Sequence, residues 1–263
     1  MHNIKTKIVA TVGPATSNKS MISKLIDSGV NVMRINMSHF STINSFETIV
    51  SIIRNESSVQ NKHVGILMDL AGPKIRLDLK HLDGKSIQIK KNRQYTLGYS
   101  DDNDLKINSN IKFGLIDSKN SFVKIDDGKV IFKIIDKNNN NLVVKAENDG
   151  IVLNRKGVNF PGVSLDIDPL TEKDIEHVVL GIKNNIDWLA LSFVRESNDI
   201  DPILKIYKKE KYTIPIIAKI EKPEAIDNLD SIIDTFDGIL IARGDLGVEV
   251  SLSKLPGLQK LVI

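Results

Sequence analysis

The stretch PIIAKIEKPEAI, from Pro215 to Ile226, reads as a buried strand that runs into a helix. Side chains alternate between the two faces of a strand, so Lys219 and Glu221 should share one face and Ala218 and Ile220 the other. Two opposite charges on one side of a core strand indicate a polar site at its end. A buried salt bridge would also explain this pair taken alone. Residues elsewhere in the chain are needed to distinguish a functional site from a salt bridge.

The composition is that of an ordinary globular protein. The 263 residues carry a net charge of +3 with lysines and carboxylates interleaved, which leaves no basic face for nucleic acid. The absence of cysteine excludes disulfides, thiolate zinc sites and a cysteine nucleophile. The N-terminal stretch lacks a signal sequence, and no apolar run approaches the roughly 20 residues that span a bilayer. We therefore predict a cytoplasmic protein without a membrane partner.

Strand-like and helix-like segments alternate along most of the chain, which is typical of a parallel sheet with helical crossovers. The helices begin at recognisable residues. Ser17 is a candidate N-cap for the first helix, and Thr171 with Asp174 resembles a capping box that opens a later one. The segment EAIDNLDSIIDTF reads as a single helix. Six segments read as the strands of this sheet: KIVATVG, NVMRINMS, HVGILMDL, DWLALSF, IPIIAKIE and DGILIAR.

The pattern changes between residues 76 and 158, where short alternating segments without a helical period are separated by turns such as Asp127-Gly128. We predict a small antiparallel β domain inserted after the third strand. Eight strand–helix units close a TIM barrel, typically in about 250 residues. The predicted fold is therefore α/β, an incomplete TIM (β/α)8 barrel of about six units made from residues 1–75 and 159–263.

Polar and charged side chains collect where the predicted strands end, and barrel enzymes carry out catalysis at that end. The second strand presents Arg34, Asn36 and Ser38 on one face, and His39 follows. The third strand ends at Asp69. Similar groups at the ends of later strands make an isolated salt bridge a poor explanation.

The residue types predict a chemistry. Glu221 and Asp245 offer hard oxygen ligands suited to Mg²⁺. Arg34, Arg76 and Lys219 are cations for phosphate or carboxylate oxygens. A metal with several cations suits phosphoryl transfer, which relies on positioning and charge stabilisation. The residues therefore predict a Mg²⁺-assisted reaction on a phosphorylated or carboxylated small molecule.

Eight motifs occur in the order KTKIVATVGPAT, VMRINMSH, DLAGPKIR, KGVNFPGVSL, TEKD, LSFVRE, AKIEKPEAI and ILIARGDLGVE. Together they closely resemble the pyruvate kinase family, from Lys5 to about Lys260. The resemblance implies a barrel interrupted after its third strand by a β-rich lid. It implies phosphoryl transfer from phosphoenolpyruvate to ADP, giving pyruvate and ATP, with Mg²⁺ or in its place Mn²⁺. It also implies a homotetramer and a C-terminal domain.

The resemblance also implies residue roles. Arg34 would bind the transferring phosphate, and Lys219 would stabilise that phosphoryl group and the enolate. Glu221 and Asp245 would hold Mg²⁺, with the backbone of Gly244 and Asp245 near the substrate carboxylate. The other assignments are the nucleotide-binding residues Asn36, His39, Arg76 and Lys156, and the monovalent-cation ligands Asn36, Ser38, Asp69 and the Leu70 carbonyl.

Two features depart from the family pattern. Potassium-dependent members carry a carboxylate where this chain has Lys74, whose ammonium can replace the cation, so we predict that K⁺ is not required. The family's threonine for proton delivery, the last two barrel strands and the C-terminal domain would lie beyond Ile263. We therefore expect poor solubility and little kinase turnover from this chain, which would be a fragment, a degraded gene product or a chain completed by a partner.

Two other functions compete with this one. A metal-dependent aldolase or lyase of the pyruvate-handling barrels would also use Glu221 and Asp245 for Mg²⁺ and bind an enolate. It would need neither the β insert nor a nucleotide site. A non-functional fragment, which keeps the site residues without the complete fold, is the non-enzymatic alternative.

Overall fold

The computed structural model describes residues 5–39, 42–80, 86–113, 121–163, 165 and 167–263. Two compact units make up the chain. The first comprises Met1–Gly72, Pro169–Ile220 and Leu229–Leu240, and the second Pro73–Asp168, Glu221–Asn228 and Ile241–Ile263. The division at residues 76 and 158 into barrel and lid stays a prediction.

The strands of the described residues, in chain order, are β1 Val9–Val12, β2 Val32–Asn36, β3 Gly65–Asp69, β4 Ser86–Ile89, β5 Gln94–Gly98, β6 Leu105–Lys106, β7 Phe122–Ile125, β8 Val130–Lys137, β9 Asn141–Ala146, β10 Gly150–Leu153, β11 Val158–Asn159, β12 Trp188–Leu191, β13 Ile216–Ile220 and β14 Gly238–Ile241. The α-helices are α1 Lys19–Asp27, α2 Ile43–Val59, α3 Glu172–Lys183, α4 Asp201–Glu210, α5 Pro223–Asp227, α6 Leu229–Thr235, α7 Arg243–Glu249 and α8 Leu255–Val262.

A six-stranded sheet in the order β1-β2-β3-β12-β13-β14 forms the first unit. It is the curled part of a barrel, and the pairs from β1 to β13 run parallel. The strands β3 and β12 are apolar along almost their whole length because both faces of a parallel sheet are covered. Strands β4 to β11 all lie between β3 and β12 in the chain. The predicted incomplete barrel with an insertion after its third strand is confirmed.

The insertion forms a second, separate sheet in the order β11-β7-β8-β9-β5-β6, with β10 and β4 paired as a two-stranded sheet. All of these pairs are antiparallel except β5–β6. The hairpin between β7 and β8 turns through Asp126, Asp127 and Gly128, which all have positive φ. Among the described residues of 76–158 there is no α-helix, as the alternating pattern predicted.

Two local predictions about helices were wrong. Asn18, and not Ser17, caps α1, because its side chain accepts a hydrogen bond from the Met21 N–H at 3.0 Å. The hydroxyl of Ser17 donates to the Pro14 carbonyl instead. The segment expected to be one helix is the pair α5 and α6, which separate at Asn228, where the backbone leaves helical geometry (φ −104°, ψ 18°).

None of the helices among the described residues combines the length and the apolar character needed to cross a membrane.

The capping box of α3 is confirmed, and its aspartate has a second role. One carboxylate oxygen of the fully buried Asp174 accepts from the N–H and the hydroxyl of Thr171, at 3.0 and 2.6 Å. The other accepts from the backbone N–H groups of Ala71 and Gly72, at 3.1 and 3.3 Å. Asp174 therefore fixes both the start of α3 and the loop that follows β3.

We expect Asp174→Ala to lower the free energy of unfolding by about 3 kcal/mol, because buried donors on two segments lose their acceptor. The matched variant Thr171→Ala loses only the helix cap and should cost about 1 kcal/mol. Urea unfolding followed by circular dichroism measures both. Equal losses in the two variants would contradict the role of Asp174 in holding the loop.

Candidate active site

A buried carboxylate holds two cations at the carboxyl ends of the central strands of the first unit. Arg34 on β2 donates from Nε to Oδ2 of Asp69 at 2.7 Å, and its Nη2 contacts the same oxygen. The Nζ atom of Lys219 on β13 lies 3.1 Å from Oδ1 of Asp69. Asp69 is the last residue of β3 and only 1% exposed. Three residues that the sequence placed on three separate strands therefore meet in one ion network.

Two hydroxyl groups complete this network, and we call the five residues Thr11, Arg34, Asp69, Ser192 and Lys219 the strand-end cluster. Lys219 donates to Ser192 Oγ at 2.8 Å, and Ser192 donates to the Leu70 carbonyl at 2.6 Å. Arg34 donates from Nη1 to Thr11 Oγ1 at 2.8 Å. Sequence reasoning missed Thr11, although the parallel register pairs it directly with Arg34.

The strand-end cluster carries two positive charges and one negative charge, so a net positive charge remains. The surrounding strands are apolar, and a low local dielectric strengthens the interaction of this charge with an anion. The Arg34 side chain is 26% exposed and can reach a bound group, whereas Asp69 is inaccessible. The arrangement is suited to holding an anionic group such as a phosphate at the end of the sheet.

The loop after β3 is packed tightly against the end of β12. Phe193, which follows Ser192, has a left-handed backbone (φ 58°) that is unusual for a bulky residue. Gly72 also has positive φ, and a Cβ atom there would lie 2.8 Å from Phe193 Cδ2. Strained backbone of this kind is common where structure positions functional groups, and here it lies next to Ser192.

The second strand ends earlier than the sequence suggested. β2 stops at Asn36, and Met37–His39 form one turn of 3₁₀ helix, so the expectation that Ser38 shares a strand face with Arg34 was wrong. The turn forms because Asn36 Oδ1 accepts the Ser38 N–H at 3.0 Å and competes with further strand pairing. Ser38 and His39 are both exposed.

In the second unit, Asp245 is paired with a lysine. The Nζ atom of Lys74 lies 2.9 Å from Oδ1 of Asp245, which leaves Oδ2 for another ligand. Asp245 and Gly244 lie in the first turn of α7, which begins at Arg243, the last residue of the predicted strand DGILIAR. Glu221 follows the last residue of β13 and is 1% exposed.

The carboxylates of the second unit suit a hard cation with few protein ligands. Among the residues that the structure describes, no group of three or more His, Asp or Glu side chains is arranged to hold a metal ion. Mg²⁺ commonly uses one or two carboxylates and keeps water or substrate oxygens on its other positions. Glu221 and Asp245 supply oxygens of the type that Mg²⁺ prefers, and their joint role as its ligands stays a prediction.

Two further cations of the predicted site, Arg76 and Lys156, lie in the second unit. Lys156 Nζ is 2.9 Å from Oδ1 of Asp126, and Lys129 Nζ is 2.9 Å from its Oδ2. Hydrogen bonds from Lys156 and then Lys129 lower the pKa of the Asp126 carboxyl. Arg76 bridges to the backbone at Gly157 and donates to the Arg155 carbonyl at 3.1 Å. Sequence reasoning recognised the Asp127-Gly128 turn but missed Asp126, because its role depends on the turn's left-handed backbone.

Residues 3–263 match the sequence family described as pyruvate kinase, barrel domain. Pyruvate kinase 2 of Synechocystis sp. is 39% identical over 264 aligned positions, which cover 98% of this chain and 44% of that protein. The pyruvate kinases of Staphylococcus epidermidis and Staphylococcus aureus are each 36% identical, over 98% of this chain and 45% of theirs. The chain thus spans less than half the length of these curated relatives. Because the family match covers almost every residue and the curled parallel sheet carries the insertion after its third strand, the chain belongs to the pyruvate kinase family.

Proposed function

We propose that this protein transfers the phosphoryl group of phosphoenolpyruvate to ADP, as the name of its relatives implies. The observation that carries the proposal is the pairing of the buried Asp69 carboxylate with both Arg34 and Lys219. A fixed pair of cations is what phosphoryl transfer needs, because the reaction depends on positioning and charge stabilisation more than on covalent chemistry. We propose this activity for the whole protein, and the chain spans less than half the length of the relatives it matches.

Arg34 and Lys219 have distinct roles in this proposal. The guanidinium of Arg34 is oriented by Asp69 and Thr11, and its outer edge binds the phosphate of the substrate. The ammonium of Lys219, oriented by Asp69 and Ser192, stabilises the phosphoryl group in transfer and the enolate oxygen that is left behind. Neither cation has to reorganise during the reaction, which is the source of such electrostatic catalysis.

Glu221 and Asp245 would hold Mg²⁺, or Mn²⁺ in its place, with Gly244 and the Asp245 backbone directed to the substrate carboxylate. The divalent ion, when bound, would neutralise charge on the phosphate oxygens. Lys74 would keep its contact with Oδ1 of Asp245 while Oδ2 serves as the ligand.

The nucleotide is assigned to Asn36, His39, Arg76 and Lys156. Lys156 and Arg76 contribute positive charge in the second unit, where Lys156 pairs with Asp126 and Arg76 donates to the Arg155 carbonyl. An aldolase or lyase would have no use for these cations, which is why we favour a phosphotransferase. Cytoplasmic location and a homotetrameric assembly remain part of the same proposal.

Asn36, Ser38, Asp69 and the Leu70 carbonyl are the proposed monovalent-cation ligands, and three of them are already engaged. Asn36 Oδ1 accepts the Ser38 N–H. Asp69 is bonded to Arg34 and Lys219, and the Leu70 carbonyl accepts from Ser192. With Lys74 in place of the family carboxylate, we propose that the enzyme works without K⁺.

The function is tested by calorimetric titration of the protein with phosphoenolpyruvate and Mg²⁺, and separately with ADP. We expect Arg34→Met to weaken phosphoenolpyruvate binding about 100-fold, as the loss of charge-assisted bonds implies. Lys156→Met should weaken ADP binding and leave phosphoenolpyruvate binding unchanged. Arg54→Met is the control, because Arg54 forms a half-exposed pair with Asp187 outside the cluster.

The outcomes separate the candidate functions. Binding of phosphoenolpyruvate without ADP would favour the aldolase or lyase. Binding of neither ligand by a chain that unfolds without a cooperative transition would favour a non-functional fragment.

Potassium dependence is tested on the full-length enzyme by comparing pyruvate formation in K⁺ with pyruvate formation in tetramethylammonium. We expect equal rates, because the ammonium of Lys74 supplies the charge that K⁺ would bring. The variant Lys74→Glu, which restores the carboxylate of potassium-dependent relatives, should require K⁺. Strict K⁺ dependence of the unmodified enzyme would reject the assignment.

A further inference from the structure

Glu249, the last residue of α7, is a buried carboxylate without an assigned role. Its side chain is 2% exposed and pairs with Lys222 Nζ at 2.7 Å. The same oxygen, Oε1, accepts from Asn159 Nδ2 at 2.8 Å. The second oxygen, Oε2, is buried and has no hydrogen-bond partner.

The partners of Glu249 come from segments that carry proposed site residues. Lys222 directly follows Glu221, and Asn159 lies three residues after Lys156. Glu249 itself lies four residues after Asp245, which puts both on one face of α7 about one turn apart. A single carboxylate therefore connects three segments of the second unit.

A further contact ties α7 to the inserted sheet. Lys124 on β7 donates from Nζ to the carbonyl of Val248 at 2.6 Å, beside Glu249. Because α7 has only seven residues, its own hydrogen bonds hold it weakly. Its orientation depends on these side-chain contacts, and the orientation of Asp245 depends on the helix.

A purely stabilising role for Glu249 fits its surroundings poorly. A buried ion pair stabilises a fold only when its remaining lone pairs are also satisfied, and Oε2 is not. A buried group that is left unsatisfied in a native protein calls for a specific explanation, and a functional role is one of these.

We propose that Glu249 is a positioning residue for the divalent-cation site, which fixes the segments of Glu221 and Asp245 at the separation that one cation requires. This inference rests on the proposed function, because it takes Glu221 and Asp245 as the cation ligands. Glu249 acts through its hydrogen bonds to Lys222 and Asn159, and it does not contact the cation. Groups that orient metal ligands in this way typically contribute 10- to 100-fold to metal affinity.

The positioning role of Glu249 is tested by Mn²⁺ binding, which does not require catalytic turnover. Electron paramagnetic resonance measures the binding as a loss of the free-ion signal. We expect Glu249→Ala to weaken Mn²⁺ binding about tenfold in folded protein. Glu249→Gln keeps an oxygen for Lys222 and Asn159 and should stay within about threefold of the unmodified chain. Glu56→Ala is the matched control, because Glu56 is also buried and lysine-paired, with Lys19 Nζ at 3.5 Å, but lies on α2 in the first unit.

Thermal unfolding of each variant confirms that folded protein is compared. Unchanged Mn²⁺ affinity in Glu249→Ala would overturn the positioning role and leave the proposed function intact. An equal loss of Mn²⁺ affinity in Glu249→Gln and Glu249→Ala would also overturn the positioning role, because the charge of Glu249 would then matter and its hydrogen-bond geometry would not. Absence of Mn²⁺ binding to the unmodified chain would overturn both the positioning role and the proposed cation site.

Discussion

The interaction on which the rest of the account depends is the contact of buried Asp69 with Arg34 and Lys219. A carboxylate that is 1% exposed is costly to bury unless cations compensate it, and here two do so, from β2 and from β13. Because the three residues lie on β2, β3 and β13, the network requires those strands to have their observed parallel order. The apolar strands bring the charges together, and the charges in turn penalise any shift in strand register.

The second unit also contains carboxylates paired with cations, in three places. Asp245 pairs with Lys74, Asp126 with Lys156 and Lys129, and Glu249 with Lys222. In each case the ion pair holds a side chain, or a short helix, to which we have assigned a proposed role in binding. If these proposed roles hold, most of the binding groups are held before any ligand arrives, which lowers the entropy lost on binding and keeps the charges fixed.

Much of the fold could be predicted from the sequence, because its signals are local. The apolar strand runs, the Thr171–Asp174 capping box and the Asp127-Gly128 turn each depend on a few adjacent residues. The convergence of Arg34, Asp69 and Lys219 was predictable from their positions at strand ends, and the roles that the family motifs imply stay predictions. Thr11 and Glu249 were not, since their roles depend on register and on partners such as Asn159 that are distant in the chain. The breaks at Asn228 and after Asn36 were missed because short-range hydrogen bonding and backbone geometry decide them.

The most direct test of the central claim is a double-mutant cycle on Asp69 and Lys219, measured by urea unfolding of the chain with Asp69→Asn, Lys219→Met and both changes. The account predicts that the effects on the free energy of unfolding are non-additive by at least about 1 kcal/mol, because either single change already removes the whole Asp69–Lys219 contact, while the contacts with Arg34 and Ser192 are common to the cycle. Additivity to within about 0.5 kcal/mol would contradict the claim, since it would mean that the carboxylate does not hold the lysine.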